Sequence, residues 1–532
     1  MVLTCLLFVV LFFYNLNLYQ RSLHMLQQNL YNENNRYLNW VRANSSLVLN
    51  LNWYGMLFGI MLFFSNHEYL EVFFLIVMML VYIVSYYYDR KRRGTDQNKK
   101  PFVVTARVKR LITTLSIIYA IPMIVFIINN DCRNIVILWY AVFTSFNFYL
   151  VYMVNIINKP VERRVYKHFE NMARNKLASM NNLKVVGITG SYGKTSSKNI
   201  LNEILNIKFN SKTTAKSLNT FYGLMITINN NLDKFDEVFI AEMGAYVQGE
   251  IHGLCELVKP KYGIITSIGT AHLNTFGSEE NILNGKMELI EYLPSDGVGV
   301  LNKDDFKQAG YKVKNDCKIL WIGIDSDDVD VRASNIKCNA EGTSFDVKFK
   351  GDKTSYKFET RLLGKHNVYN ILDALALGYE FGISPKDLIQ AVRRVKPTEH
   401  RLELKKVGRI NMIDDAFNSN PVGAKSALDV LSMMKGKKVV VTPGMVELGE
   451  KEDEYNMVFG EQISKVADMV ILIGEKKTKP IKKGLKNKKY DDKKILVINN
   501  VKEAFKILEE IKGKEEVYAL FENDLPDTYT EK

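Results

Sequence analysis

A chain of 532 residues is longer than one hydrophobic core fills, so several domains are required. Its apolar content of 47% is ordinary but concentrated: the first third holds long apolar runs and the remainder reads as a soluble α/β protein. The net charge of +13 sits largely beside those runs, which argues against nucleic acid as a partner; five scattered cysteines without a C-x-x-C pair exclude a disulfide framework and a zinc site.

Five apolar stretches precede residue 160: Val2–Leu18, Leu47–Phe64, Tyr69–Tyr88, Leu111–Ile128 and Ile135–Ile157. Each approaches the roughly 20 residues that cross a bilayer as a helix. The second is the weakest, because Asn50 and Asn52 interrupt it. Residues 1–160 are therefore expected to form a membrane region of about five transmembrane helices. Basic residues cluster after the first, third and fifth stretches (Arg21, Arg36 and Arg42; Arg90–Arg93 and Lys99–Arg110; Lys159–Arg174). All of these face one side if the N-terminus is outside and residues 160–532 are cytoplasmic. Apart from Glu71, near one end, no charge lies within a span. That favours an anchor and scaffold over an ion pathway or a lipid-substrate pocket.

Residues 161–182 read as a charged, helical linker. From residue 183 to 396, short apolar strands alternate with helical patterns, the mark of a parallel sheet covered by helices. Strands are expected at Val185–Thr189, Glu237–Ala241, Tyr262–Ser267 and Gly299–Asn302, and helices near Lys194–Leu205, Glu279–Tyr292 and Asn367–Phe381. Residues 317–362 alternate polar and apolar and suggest a small antiparallel element. A second alternation fills residues 397–532, with strands at Ile410–Ile413, Lys438–Thr442, Met469–Ile473, Ile495–Ile498 and Val517–Phe521. It reads as a separate doubly wound α/β domain beginning near Val395–Leu402. The lysine-rich run Lys476–Lys494 reads as a solvated face.

The chemistry centres on residues 187–197, Gly-Ile-Thr-Gly-Ser-Tyr-Gly-Lys-Thr-Ser-Ser, between an apolar strand and a helix start. Glycines let the backbone approach an anion, helix N–H groups point at it, Lys194 adds positive charge and the Thr195 hydroxyl can reach Mg²⁺. Thr189, Gly190, Ser191, Gly193, Lys194 and Thr195 are the candidate ATP-binding residues. The general phosphate loop wants glycine at position 188, where this chain has Ile188; its glycines stand at 187, 190 and 193. ATP chemistry also needs carboxylate for Mg²⁺. Glu242 ends a predicted strand, His272 follows another, and Lys286 sits on a helix fourteen residues further on. Taken singly, each also reads as a cap, a loop residue or a surface lysine.

Taken together, these residues resemble the Mur ligase family. The resemblance rests on the loop 187–195, Glu242 in AEMGA, His272 in IGTAHL, Lys286 in NGKMEL, Gly364-Lys-His-Asn-Val-Tyr-Asn370, His400-Arg401, and Asp414-Asp415-Ala-Phe-Asn418-Ser-Asn-Pro421, over roughly residues 180–525. The Asp414–Pro421 motif and Gly444-Met-Val-Glu-Leu-Gly449 are most similar to the branch that adds D-alanyl-D-alanine. The implied fold is an α-helical membrane region followed by α/β: a Mur ligase central P-loop ATPase domain and a C-terminal doubly wound α/β domain. The implied reaction is ATP- and Mg²⁺-dependent amide formation through an acyl phosphate, in peptidoglycan or cell-envelope synthesis at a bacterial-type cell membrane. The implied catalytic set is Lys194, Glu242, His272 and Lys286. Thr195 and Glu242 would hold one metal, and His272 with carbamylated Lys286 the other. Asn370 would meet adenine, Arg401 the phosphates and Asp415 the ribose. The partners implied are ATP, a muramoyl-peptide-like carboxylate, UDP- or lipid-linked, and an amino acid or dipeptide.

Two features depart from the family. Membrane segments stand where the family's uridine-nucleotide domain would be, and Leu520-Phe-Glu-Asn-Asp-Leu-Pro-Asp527 replaces a Lys-Gly-Ser motif. Those acidic residues could recognise an amine or form a turn. A polyglutamate-synthase kind of ligase and a non-catalytic ATP-binding membrane sensor are the competing readings.

Overall fold

The computed structural model describes all residues except 46–49, 94–100, 216, 418, 447, 512–515 and 525–532, and the side chains of 33, 34, 92 and 93. Parts of the basic loop after the third apolar stretch, Asn418, and the 447 and 525–527 positions of the motifs above thus lie outside the described residues. The chain divides into two compact units, Met1–His168 and Phe169–Lys532.

The first unit is helical among its described residues. Val2–Gln28, Glu68–Lys91 and Ala106–Ile128 are long and apolar enough to cross a membrane. The other two expected spans come out differently. The second is a 13-residue helix, Asn52–Phe64, about 20 Å long and short of the roughly 30 Å hydrocarbon core. Its expected start, residues 47–49, lies outside the described residues. The fifth is broken into Arg133–Ser145 and Asn147–Ala178, bent by 89°. Among the described residues, helices long and apolar enough to cross a membrane therefore number three, or four if the bent pair counts as one.

At the bend after Ser145, polar side chains take up backbone groups. Asn147 Nδ2 and Asn52 Nδ2 both donate to the Thr144 carbonyl, at 3.0 and 3.2 Å, and Ser145 Oγ donates to the Asn52 carbonyl at 3.3 Å. Side chains thus satisfy backbone groups that an interrupted helix frees. Leu7, Leu11, Tyr14, Leu62, Met78, Tyr82 and Ile137 pack inside this unit, while Phe12, Ile117, Ile124, Ile127 and Ile128 face outward. Past the first apolar stretch the first helix runs on to Gln28, followed by a 3₁₀ turn, Leu30–Asn35, and a short helix, Arg36–Ala43.

The second unit is built on two sheets. The first has nine strands: β1 Lys184–Thr189, β2 Ser211–Thr213, β3 Val238–Glu242, β4 Tyr262–Ile265, β5 Val298–Asn302, β6 Lys318–Gly323, β7 Val331–Asn339, β8 Gly342–Phe349 and β9 Ser355–Thr360. Their order is β2-β3-β1-β4-β5-β6-β7-β8-β9. Strands from β2 to β7 run parallel and the last two pairings are antiparallel. The 317–362 stretch is therefore an extension of the parallel sheet, with β6 itself parallel to β5. Alternation explains the continuity: Val331, Ala333, Phe345, Val347 and Phe358 face the same core as Val186, Ile188 and Val300. A second core, with Phe239, Ala241, Ile265 and Leu289, fills the opposite face.

The second sheet holds β10 Glu403–Val407, β11 Ile410–Asp415, β12 Lys437–Thr442, β13 Met469–Ile473, β14 Ile495–Ile498 and β15 Val517–Glu522. The order is β10-β11-β15-β12-β13-β14. The five strands from β11 on are parallel, and β10 is an antiparallel edge. The helices and linker around the two sheets meet through short polar contacts. His366 Nδ1 lies 2.8 Å from Ser426 Oγ, and Asn199 Nδ2 donates to Thr398 Oγ1 at 3.1 Å.

Candidate active site

The carboxyl ends of three adjacent strands supply the site's floor, where an open parallel sheet places its ligands. In register, Ile188 of β1 pairs with Glu242 of β3, and Thr189 with Ile265 of β4. β1 ends at Thr189, whose hydroxyl donates to the Met243 carbonyl at 2.8 Å. The glycine loop follows, and the helix Lys194–Leu205 starts directly after Gly193. Gly193 takes a left-handed backbone (φ +84°), and a Cβ there would stand 2.6 Å from Asn370 Oδ1. Turn and close approach both require glycine.

Lys194 is folded over its own loop. Its Nζ donates to the carbonyls of Gly190 at 2.7 Å and Ser191 at 3.2 Å. Burial pushes the ammonium down to about 8, Arg401 adds to that, and Glu242 opposes it. Ser191 is tied across to the β4 exit loop, its N–H donating to Ser267 O at 2.7 Å and its Oγ to Gly269 O at 3.3 Å.

Glu242 is 1% exposed. Its Oε1 accepts from Thr195 Oγ1 and from Asn219 Nδ2, each at 3.1 Å. Its Oε2 accepts no aligned hydrogen bond, but Lys198 Nζ stands 3.0 Å away as an ion-pair partner. Lys198 is equally buried, and also donates to Thr214 O at 2.9 Å. Sequence reasoning missed Lys198 and Asn219. Lys198 lies one helical turn after Lys194, so its position on the same face was a usable signal. Asn219 comes from a loop and had none.

His272 has a left-handed backbone (φ +60°) and its ring centroid lies 4.5 Å from that of Tyr246. Burial, then Lys194 and Lys286, push the imidazole down to about 4, so it is neutral at pH 7. Lys286, on the helix Glu279–Tyr292, is 2% exposed. Its Nζ donates to Ala245 O at 3.2 Å and sits 5.2 Å from the Phe276 ring centroid. Burial and then Lys194 push it down to about 7, against Glu250 and Glu288.

Asn370 lies beneath the loop, on the helix Lys365–Glu380. Its Oδ1 accepts from Ser197 Oγ at 3.1 Å and its Nδ2 donates to Asn367 Oδ1 at 3.1 Å. Asp373 Oδ2 is 3.2 Å from the same Ser197 hydroxyl, and burial holds this carboxyl far above the usual range. Arg401 lies between the sheets, its guanidinium 4.0 Å from the Phe417 ring centroid. Burial draws its pKa down, while Asp415 and Glu242 oppose that. Asp415 Oδ1 accepts from Leu402 N–H at 3.2 Å. Its register partner is Glu522, which accepts from Ser419 Oγ at 2.6 Å. Burial raises both carboxyls, Asp415 to about 6. Sequence reasoning found the acidic stretch but not that Glu522 stands beside Asp415.

The donor sets fit Mg²⁺ unevenly. Thr195 Oγ1 and Glu242 Oε1 form a hydroxyl–carboxylate pair, which suits an ion that keeps waters and phosphate oxygens as its other ligands. Neutral His272 is a competent ligand. Lys286 becomes an anionic one only when carbamylated. Among the described residues no group of three or more His, Cys, Asp or Glu is placed to hold a metal.

Residues 188–378 match the Mur ligase middle domain, and residues 400–520 match the domain described as Mur ligase, glutamate ligase domain. The chain is 33% identical over 285 residues to the UDP-N-acetylmuramoyl-tripeptide–D-alanyl-D-alanine ligase of Bacillus subtilis, covering 53% of this chain and 60% of that one. Its fold is similar to MurF from Acinetobacter baumannii (TM-score 0.61, 25% identity, 67% of this chain and 77% of that one). It is similar also to MurF ligase from Thermotoga maritima in complex with ADP (TM-score 0.60, 26% identity, 67% and 80%). The chain spans less than two thirds of the length of the Bacillus subtilis ligase and of the Escherichia coli ligase it also matches. With a Mur ligase middle domain and a Mur ligase C-terminal domain in sequence and in fold, the chain belongs to the Mur ligase family.

Proposed function

We propose that this protein is a membrane-anchored, ATP-dependent amide ligase of cell-envelope synthesis. It would join a carboxylate on a muramoyl-peptide-like acceptor to an amino acid or dipeptide. The carrying observation is the layout at the strand ends: Lys194 is folded over the glycine loop, and the next residue, Thr195, donates at 3.1 Å to the buried carboxylate of Glu242. Carboxylate and triphosphate repel each other, and a site that joins them must supply fixed positive charge.

In the proposed reaction the acid's carboxylate oxygen attacks the γ-phosphorus. The bond from that phosphorus to the β–γ bridging oxygen breaks, ADP leaves and an acyl phosphate forms. The amine nitrogen then attacks the acyl carbon, the bond to the phosphate oxygen breaks, and the nitrogen loses a proton as phosphate departs. Lys194 would offset the charge building on the transferring group, and Arg401 would do so from the second sheet's side. Mg²⁺, held by Thr195 and Glu242 and by His272 with carbamylated Lys286, would supply Lewis-acid charge to the phosphate oxygens. Asn370 and Asp415 are assigned to the nucleoside. Because Arg401 and Asp415 follow the domain junction, nucleotide would bind where the two domains close.

Support for the anchor is the three membrane-length helices and their outward apolar side chains. The bunching of basic residues after the first, third and fifth apolar stretches supports a cytoplasmic position for residues 160–532. The test uses the full chain in detergent with ATP and Mg²⁺. UDP-muramoyl tripeptide, lipid-linked peptide and glutamate oligomers are offered in turn, each with D-alanyl-D-alanine or single amino acids. ADP release that requires both an acid and an amine, with a product of the summed mass less water, is expected. ATP binding without acceptor-dependent turnover on any pair would sink the ligase reading and favour a sensor.

A further inference from the structure

Tyr192 occupies the middle of the glycine loop. Its carbonyl accepts from Thr266 Oγ1, and from Ser267 Oγ at 3.2 Å. Its hydroxyl is 3.4 Å from Thr270 Oγ1. Its ring lies flush on Gly269, so that any Cβ at 269 would run into the ring. Ser191 and Thr266 add further ties: Ser191 N–H to Ser267 O, Ser191 Oγ to Gly269 O, and Thr266 N–H to Thr189 O at 2.9 Å. The phosphate loop and the exit loop of β4 are thus laced into one body. Tyr192 is its largest shared side chain, and the laced stretch ends two residues before His272.

We propose that Tyr192 is a positioning residue, wedged against Gly269 so that the phosphate loop sets the place of His272. The inference rests on the two-metal reading above. Its physical basis is that a ligand on a loop is as well placed as the packing behind it. His272 cannot draw that support from regular structure, because it precedes a helix of only four residues, Leu273–Phe276, in a left-handed conformation. The wedge assigns Tyr192 to one metal position and not the other. Thr195 and Glu242 belong to a helix and a strand and do not depend on it.

The test counts bound Mn²⁺ by electron paramagnetic resonance on the full chain, with a non-hydrolysable ATP analogue and bicarbonate present. The unmutated chain is expected to bind two ions. Tyr192→Ala should weaken one of them about 10–100-fold and leave the other, and nucleotide affinity, within about 3-fold. Tyr192→Phe keeps the ring and should keep both ions. Gly269→Ala should reproduce the Tyr192→Ala pattern, and the double variant should lose less than the two single effects combined, since the added methyl then meets no ring. A purely structural role would weaken both ions together, and that result overturns the proposal, as does Tyr192→Ala retaining both. Fewer than two ions in the unmutated chain would remove the two-metal reading and this inference with it; two ions in every variant would remove this inference alone.

Discussion

Two lysines of the middle domain are almost equally buried, Lys198 at 1% and Lys286 at 2% exposure, and the protein treats them in opposite ways. Lys198 faces a carboxylate, Glu242 Oε2, at 3.0 Å. Lys286 has a backbone carbonyl and an aromatic ring, and no carboxylate within 4 Å of its Nζ among the described residues. Buried charge is tolerated when paired and shed when it is not. Lys198 therefore belongs to the framework, fixing Glu242 so that Oε1 faces Thr195. Lys286 is held near neutrality, the state in which an amine can react with CO₂. On the proposed two-metal reading, one side of the site is complete on folding and the other would await carbamylation of Lys286.

The largest effect should come from the cation that both sides surround. Lys194→Met should lower kcat for acceptor-dependent ADP release on the order of 10³-fold or more, with a stopped assay of ADP as the measure. An unchanged kcat would show that the loop only binds nucleotide. Next, the two buried lysines should separate activity from stability. Lys198→Met leaves Glu242 unpaired in the interior and should cost about 3–5 kcal/mol in denaturant unfolding. Lys286→Met removes an amine that has no ion partner, so unfolding should be unchanged or slightly more resistant, while kcat falls on the order of 10²-fold or more. Equal destabilisation by both would erase the distinction.

Much of this was legible because it is local. A glycine loop between a strand and a helix announces itself within eleven residues, and Glu242, His272, Lys286, Arg401 and Asp415 sit inside short motifs. What was not legible depends on partners far apart in the chain. Nothing near Lys198 names Glu242, and nothing near Glu522 names Asp415, because sheet register brings each pair together. Alternation in 331–360 reported which residues face a core but not that the core was already the parallel sheet's. Hydropathy marked five apolar stretches. At the break at Phe146 the side chains of Asn52 and Asn147 take up the Thr144 carbonyl, a tie that an average over a window does not register.

The charge difference between the two sides also predicts a pH response. Lys286 near 7 and Lys194 near 8 lie below the ordinary 10.5 of a lysine. Between pH 7 and 10.5 the unfolded chain therefore holds a proton on residue 286 that the folded chain has shed, so stability rises with pH across that window. Below pH 7 both states are protonated there and the cost of burial is constant. In CO₂-free buffer the unfolding midpoint should accordingly begin to climb near pH 7, and Lys286→Met should delay that onset to near pH 8, where Lys194 takes over. A midpoint that falls between pH 7 and 8, below the range where the buried thiols of Cys255 and Cys317 begin to oppose the rise, would contradict the Lys286 assignment.

The smallest effect, and the sharpest on Lys286 itself, concerns the ring beside it. An aromatic face favours an ammonium over an amine, by roughly 0.5–2 kcal/mol depending on desolvation. The Phe276 ring thus holds Lys286 higher than burial alone would. Phe276→Leu keeps the site apolar but removes that attraction, so the neutral amine should persist to lower pH. At 1.36 kcal/mol per pKa unit, the shift should be roughly 0.4 to 1.5 units. The measure is ¹³C NMR of carbamate formed from labelled bicarbonate as a function of pH. Its acid limb should move down by that amount in the variant, and the limb should vanish in Lys286→Met. A limb that stays in place would mean the ring only fills space; one that moves up would mean that water, entering beside the smaller side chain, solvates the ammonium better than the ring did.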